Sequence, residues 1–434
     1  MKKLTTHHSL LATMLLFIVL AMAARAASAQ DFLARPDVPG HPIPTTTFPE
    51  PRAGELEYLD VLALVAALAL SSYFALARRS RRGLFLLAVA SLAWFGFWRE
   101  GCVCSIGSIQ NVVLALFDPT YAVSLSIVAF FVFPLVFTLF FGRTFCAAVC
   151  PLGAVQELVA VRPVKVPAWL DHALGLLAYV YLGAAVLFAA TGTAFVICEY
   201  DPFVAFFRLT GTVNMLVLGG SFLLVGVFVG RPYCRYFCPY GAVLRWLSRV
   251  SKWHVTIPPD ECIKCRLCED VCPYGAIREP TVEQSLAERG RGRRRLALLL
   301  LLVPILIAVG GCLGRFTAVP LSQMDPTVRL AERVGLEEAK KVEGTTDASD
   351  AFYNTGRPAM ELYREAVARR QQFAYAGLWL GAWVGLVIGV KLVHLSLRRR
   401  RSEYLPDRAS CISCGRCFWY CPGEHARLGL IQDT

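Results

Sequence analysis

The sequence predicts a mostly α-helical, polytopic membrane bundle with a parallel internal repeat, joined to a small α+β domain that is delivered in two separated halves. Three observations carry this. Of the 434 residues 56% are hydrophobic and only 18% charged, whereas soluble domains are about a quarter charged. Apolar runs of membrane-spanning length recur along the chain. Sixteen cysteines fall largely into short, repeated groups. The net charge of +12 raises the question of nucleic acid. Its arginines, however, cluster beside apolar runs, the pattern of membrane topology determinants rather than of a phosphate-tracking groove, and no nucleic-acid partner is expected.

The start of the chain, Lys2 and Lys3 followed by the apolar "LLATMLLFIVLAMA" and then Ala27–Ser28–Ala29, has the charged, apolar and small-residue regions of an export signal cleaved after Ala29. An uncleaved membrane anchor is the other reading. Seven spans are expected near 58–77, 83–98, 121–141, 173–191, 213–229, 296–312 and 374–397. The cytoplasmic side holds Lys and Arg in short loops. Arg78, Arg79, Arg81 and Arg82 therefore set the first hairpin inside, and alternation puts Arg143, Arg162 and Lys165, then Arg289–Arg295 and Arg398–Arg401, on that same side. The implied location is a bacterial inner membrane, with lipid around the bundle. The segment 313–373 mixes both charge signs and reads as amphipathic helix in an external loop.

Among the cysteines, "CIKCRLCEDVCP" places Cys262, Cys265, Cys268 and Cys272 in C-x2-C-x2-C-x3-C-P spacing, and "CISCGRCFWYCP" repeats it with Cys411, Cys414, Cys417 and Cys421. Three thiolates two residues apart can wrap one [4Fe-4S] cubane, and the proline turns the chain away after the fourth. Structural zinc prefers two C-x2-C pairs separated by a longer stretch, and disulfides are disfavoured in a reducing cytoplasm. Two [4Fe-4S] clusters are therefore expected. In bacterial two-cluster ferredoxins the fourth cysteine of each motif ligates the other cluster. Span six leaves and span seven returns, so the motifs can meet on the cytoplasmic face as one split ferredoxin domain; two independently closed clusters are the alternative.

A second pair of motifs is shorter. "GRTFCAAVCPLGAV" (142–155) and "GRPYCRYFCPYGAV" (230–243) align, and "DPT" at Asp118–Thr120 then falls close to "DPF" at Asp201–Phe203. This is a repeat of the parallel kind. Its axis would gather Cys146, Cys150, Cys234 and Cys238 at the inner mouth, and Cys102, Cys104 and Cys198 at the outer one. Such thiols could ligate a further cluster or a soft metal such as Cu(I), or cycle as thiol and disulfide. Cysteine also packs well between helices, and a "CP-x-G-A" turn could simply shape a helix entry. Cys312 reads as packing, and His172 and His394 as helix-end cations rather than haem ligands. No phosphate-binding glycine loop, metalloprotease helix or nucleophile elbow is present, so no catalytic residue is assigned.

These residues resemble the membrane polyferredoxins that include NosR, NapH and the oxidase-assembly protein CcoG. The resemblance rests on the paired C-x3-C-P motifs followed by C-x2-C-x2-C-x3-C-P, and covers about residues 83–280 and 405–422. NosR-like proteins often carry a covalent flavin on an external threonine; the external segments here are too short and no S/T-G-A-T/S site is present, so flavin is not expected. NapH-like members usually keep their ferredoxin motifs contiguous, whereas this chain inserts two spans between them. The resemblance implies electron transfer between membrane quinol or a cytoplasmic donor and an exported respiratory reductase or its maturation system, with redox proteins as partners. It leaves open whether the chain is the membrane component of a quinol oxidoreductase complex. The competing reading is a copper-handling or oxidase-assembly factor that uses its thiols as soft ligands.

The expected organisation is a signal peptide at 1–29, an external segment at 30–57, and a membrane core at 58–250 holding both C-x3-C-P motifs. The first ferredoxin half follows at 251–285, span six at 296–312, an external loop at 313–373, span seven at 374–397, and the second half at 398–434.

Overall fold

The computed structural model describes residues 54–101, 104–161, 163–257, 262–281, 285–397 and 400–429. The expected signal peptide, nearly all of the external N-terminal segment, and Cys102 lie outside them.

Each expected apolar run forms helix: Gly54–Ser72, Arg81–Ser91, Leu125–Phe141, Leu177–Ala190, Val213–Gly226, Leu286–Phe316 and Ala359–Ser396. Among the described residues, four helical stretches are long and apolar enough to cross a membrane, namely Glu55–Ala77, Ala168–Ala190, Ala287–Phe316 and Ala359–Ser396, while Leu125–Phe141 and Val213–Gly226 are apolar but shorter. Hydroxyl caps set several starts. Ser80 accepts from Gly83 N at 3.2 Å, and Thr212 accepts from Met215 N at 3.4 Å, each satisfying a donor that has no intrahelical partner.

The two half-motifs fold alike. Helix Leu125–Phe141 ends at Gly142 (φ 71°), a short helix Thr144–Ala148 follows, and Cys150 caps helix Pro151–Val159. In the second copy, Val213–Gly226 leads to Pro232–Tyr236, and Cys238 caps Pro239–Ser248. Proline opens the third helix both times, where its missing N–H costs nothing.

The last two membrane helices form a hairpin held by small residues. A Cβ on Gly381 would lie 2.0 Å from Gly310 O, and one on Gly314 would lie 2.1 Å from Gly377 O. Backbone-to-backbone approach replaces side-chain interdigitation, as expected of small-xxx-small packing in lipid. The hairpin joins the core through Trp383, whose Nε1 donates to Tyr179 O at 2.9 Å, and Trp246 lies edge-on to Trp383 at 5.5 Å. Sequence reading splits 313–373 from span seven at 374; instead one helix runs unbroken over Ala359–Ser396. Its polar start packs Leu362 and Ala366 on Val328, Val334 and Phe352 of the two intervening helices, so burial on that small core carries the helix past the change in polarity.

Beyond the hairpin's other end, strand Ile277–Arg278 pairs antiparallel with Leu405–Pro406. Asp407 N donates to Ala276 O at 2.7 Å and Thr281 N to Arg401 O at 2.9 Å. The two cysteine-rich segments, separated by both long helices, are thereby one domain.

Candidate iron–sulfur centres

The loop geometry of the two C-x2-C-x2-C-x3-C motifs is the same. Lys264 (φ 55°) and Arg266 (φ 65°) in the first correspond to Ser413 (φ 59°) and Gly415 (φ 77°) in the second. Left-handed non-glycine residues are uncommon. Here they alternate with cysteines and curl the chain so that three thiols face one centre. Helix Leu267–Asp270 in one half packs against Arg416–Trp419 in the other, carrying each fourth cysteine to the opposite motif.

Electrostatic neighbours report this exchange. Burial pushes the Cys268 thiol up to about 11, and the negative charges that add to the shift are Cys265, Cys262 and Cys421. Burial likewise pushes Cys411 up to about 12, with Cys414 and Cys272 contributing, and raises Cys417 with Cys411, Cys414 and Cys272 around it. Cys421 thus acts on the first motif's Cys268, and Cys272 on the second motif's Cys411 and Cys417. A thiol whose pKa rises this far is a poor thiolate unless something positive sits among the four sulfurs, and an iron–sulfur cage supplies that. The donor sets fit [4Fe-4S] clusters.

Cys146, Cys150, Cys234 and Cys238 also converge, lining one small cavity together with Phe145, Tyr240 and Ile106. Three of their sulfurs accept hydrogen bonds: Cys146 from Arg143 Nη2 at 3.6 Å, Cys234 from Gln156 Nε2 at 3.2 Å, and Cys238 from Gly241 N at 3.2 Å. Donors aimed at sulfur stabilise thiolate and tune whatever it binds. Among the described residues, no three Cys, His, Asp or Glu groups come close enough to hold a single metal ion.

Cys104 and Cys198 meet as well. Burial pushes the Cys104 thiol up to about 12, with Asp201 and Cys198 adding to it, and a Cβ on Gly107 would lie 3.3 Å from Cys198 Sγ. Their separation from the inner thiols is narrower than the two-mouth picture suggests. Residues Ser105–Gln110 are all buried, Ile106 reaches the quartet's cavity, and Gln110 Oε1 accepts from Ile197 N at 2.9 Å. A segment read as an external loop instead enters the core. Its small residues allow the close approach, and the Gln110 carbonyl oxygen gives the buried Ile197 N–H an acceptor.

Sequence reading missed the charged centre joining quartet to ferredoxin domain. Glu157 is buried, and its carboxylate meets Arg81 at 2.9 Å, Arg231 at 3.1 Å, Arg416 at 2.7 Å and the Tyr274 hydroxyl at 2.8 Å. Burial alone would raise its pKa; Arg231, Arg416 and Arg81 outweigh this and hold the carboxyl well below the usual range. Arg81 also donates to Cys414 O at 2.7 Å, and Arg231 to the carbonyls of Cys146 and Ala147. Arg143, besides facing Cys146, donates to Ala409 O at 3.2 Å. The signal was the glutamate itself, an acid in a segment surrounded by basic loops.

Fold and donor sets define a membrane iron–sulfur protein. The family described as 4Fe-4S binding domain matches residues 123–176 and 210–258, one match over each C-x3-C-P motif, and a second model of that description matches 255–278. An uncharacterized protein of Methanocaldococcus jannaschii is 31% identical over 189 residues, 42% of this chain and 76% of that protein. The regulatory protein NosR of Stutzerimonas stutzeri is 28% identical over 221 residues, 46% of this chain and 29% of NosR. The methylamine utilization ferredoxin-type protein MauN of Methylobacillus flagellatus is 25% identical over 181 residues, 39% of this chain and 61% of MauN. The chain therefore spans under a third of NosR and under two thirds of MauN. No solved structure matches it. The chain belongs to the NosR/NapH-like family of membrane 4Fe-4S electron-transfer proteins.

Proposed function

We propose that the protein carries two [4Fe-4S] clusters with crossed ligation and passes electrons between them and the cysteine quartet. One cluster would be held by Cys262, Cys265, Cys268 and Cys421, the other by Cys411, Cys414, Cys417 and Cys272. The observation that carries this is the exchange of the fourth cysteines. When bound, the clusters accept and release single electrons. The protein's own groups fix their surroundings: the left-handed loops aim the thiols, Arg81 and Arg416 place positive charge beside Cys414, and the domain's core keeps water from the buried sulfurs.

The quartet is the next station in this reading, as a further cluster or a thiol redox pair. The matching folds of its two halves support an internal duplication, and a family described as 4Fe-4S binding covers both. Thiols spread around a cavity suit a cage better than one ion, which makes the copper-handling alternative the weaker reading. Cys104 and Cys198 would continue the route across the core. The basic loops support a ferredoxin domain on the cytoplasmic side of a bacterial inner membrane. Quinol or a cytoplasmic protein would supply or take electrons there, with an exported reductase or its maturation system at the other end.

The test is an EPR redox titration of the purified, iron-loaded chain with and without a quinol analogue. Two interacting [4Fe-4S] signals from the ferredoxin domain are expected. A preparation whose signals survive replacement of all eight ferredoxin cysteines by serine would overturn the assignment.

A further inference from the structure

A cavity of about 410 Å³ lies between the ferredoxin domain, helix Pro239–Ser248 and the last turns of helix Ala359–Ser396. Eight arginines and lysines line it, against two carboxylates, Asp171 and Asp407. Both carboxylates are taken, Asp171 by Arg235 at 2.8 Å and Asp407 by Arg278 at 3.4 Å. Arg231 is taken by Glu157, and Arg143 faces Cys146. Among the described residues, Arg245, Arg249, Lys391 and Arg401 are left around the cavity with no carboxylate in ion-pair contact. Arg245 is the most enclosed: burial and then the charge of Arg143 pull its guanidinium below its ordinary value. Arg245, Lys391 and Arg401 are half-buried and Arg249 is exposed at the edge, and like charges converging on one cleft raise the local concentration of an oppositely charged ligand, so this excess favours an anion.

The other wall is apolar. Trp246, Trp383, Leu386, Val387 and Val390 continue from the basic end along the membrane helix, with Trp246 and Val390 exposed at the rim. Volume decides against a bare inorganic anion. A water takes about 30 Å³ of liquid, so a phosphate ion would leave most of the space empty. A neutral quinol head group would fill it without answering the charge.

We infer that this cavity binds the head group of an acidic phospholipid, its phosphate among Arg245, Arg249, Lys391 and Arg401 and its acyl chains along the Trp383–Val390 face. Basic pockets between membrane helices at head-group level recognise lipids in this way. The bound lipid would fill the seam between the last helix and the core, the same helix that brings the second ferredoxin half into place.

Native mass spectrometry of the full chain in mild detergent tests this, with phosphatidylglycerol, cardiolipin and phosphatidylcholine added separately. Acidic lipid should be retained at least ~10-fold more tightly than phosphatidylcholine. Arg245→Gln with Lys391→Gln should remove that preference, while Arg293→Gln with Arg294→Gln, in the exposed basic run at the start of helix Leu286–Phe316, should not. Val390→Trp leaves every charge in place and fills the acyl side, so it should weaken acidic-lipid retention even if the double variant fails to fold. Equal retention of acidic and zwitterionic lipid by the wild type would overturn the inference. So would unaltered retention in Val390→Trp, saturation by inorganic phosphate with no further gain from lipid, or displacement of the lipid by a short-chain quinol.

Discussion

The two C-x3-C-P segments share an order of helices and differ tellingly in their charged positions. Aligned on their cysteines, Gln156 and Glu157 of the first correspond to Leu244 and Arg245 of the second. Glu157 is buried among Arg81, Arg231 and Arg416 and is fully answered. Arg245 is half-buried beside Arg143 with no carboxylate in ion-pair contact, and its guanidinium donates to the carbonyl of Arg235. The arginines that open each segment diverge in the same sense. Arg231 takes a left-handed backbone (φ 49°) and crosses into the first copy, passing where any Cβ on Gly153 would lie 2.9 Å from its Nη1. Arg143 turns outward to the second ferredoxin half. One scaffold thus yields a closed electrostatic knot on one side and an open basic cavity on the other: the first half clamps the ferredoxin domain, and the second receives something from outside the chain.

The largest effect expected is at the domain the clamp holds. Under crossed ligation Cys421→Ser should alter the EPR signal of the cluster whose other ligands are Cys262, Cys265 and Cys268, leaving largely intact the signal assigned by Cys414→Ser. Removing the chain after Arg401 should cost both clusters, because each loses a thiolate or more and strand Ile277–Arg278 loses its partner. If Cys421→Ser moves only the signal that Cys414→Ser moves, each loop closes its own cluster.

Breaking the knot comes next. Glu157→Gln leaves three guanidiniums with one neutral partner, and removing one member of a buried ion pair destabilises by about 3–5 kcal/mol. Because the folded carboxyl is held below its ordinary range, its contribution is complete above about pH 5 and is lost as pH falls below that. Denaturant unfolding followed by tryptophan fluorescence should therefore show a wild-type advantage at pH 7 that narrows toward pH 3. A gap that stays constant with pH would mean the ionised form is not what matters.

A third expectation concerns how the second ferredoxin half arrives. Gly381→Leu places a side chain where Gly310 O lies 2.0 Å from an ideal Cβ, so the glycine-packed hairpin must open. We expect strongly reduced iron content, read by absorbance and iron analysis, although the substitution is far along the chain from every cysteine of either motif. Normal iron content would show that the domain assembles without the hairpin's close packing.

These contrasts also show what the sequence could reveal. Apolar runs mark helices, four of them among the described residues long enough to cross a membrane, because lipid makes composition decisive, and cysteine spacing marks both cysteine loops because a cage dictates its ligand intervals. The meeting of Cys421 with Cys268 followed from topology plus the known habit of crossed ligation. Glu157 was not legible by periodicity, since "AVQELV" reads as an ordinary helical stretch; its role depends on arginines more than 70 residues away on either side. The entry of residues 105–110 into the core was hidden for a similar reason, because the Gln110 side chain there accepts from the backbone N–H of the distant Ile197. Comparing the two repeats position by position was the available signal, and the reversal at Glu157 and Arg245 is what it would have shown.

The smallest effect is the sharpest check of that comparison. If Glu157 and Arg245 differ as described, their replacements should differ in sign as well as size. Arg245→Leu matches the cavity's apolar wall, gives up a single hydrogen bond to the Arg235 carbonyl, and removes a positive charge that burial and Arg143 disfavour more than the longer-range attraction of Asp171 favours it. A typical hydrogen bond contributes about 1 kcal/mol net, and relief of the unpaired charge offsets a similar amount. Denaturant unfolding of the lipid-free protein should therefore place Arg245→Leu within about 1 kcal/mol of wild type, while Glu157→Gln loses several times that. Adding acidic phospholipid should then stabilise the wild type and leave Arg245→Leu unchanged. A loss of several kcal/mol in the lipid-free Arg245→Leu protein would show that this arginine is already answered within the chain, and that the second half is closed like the first.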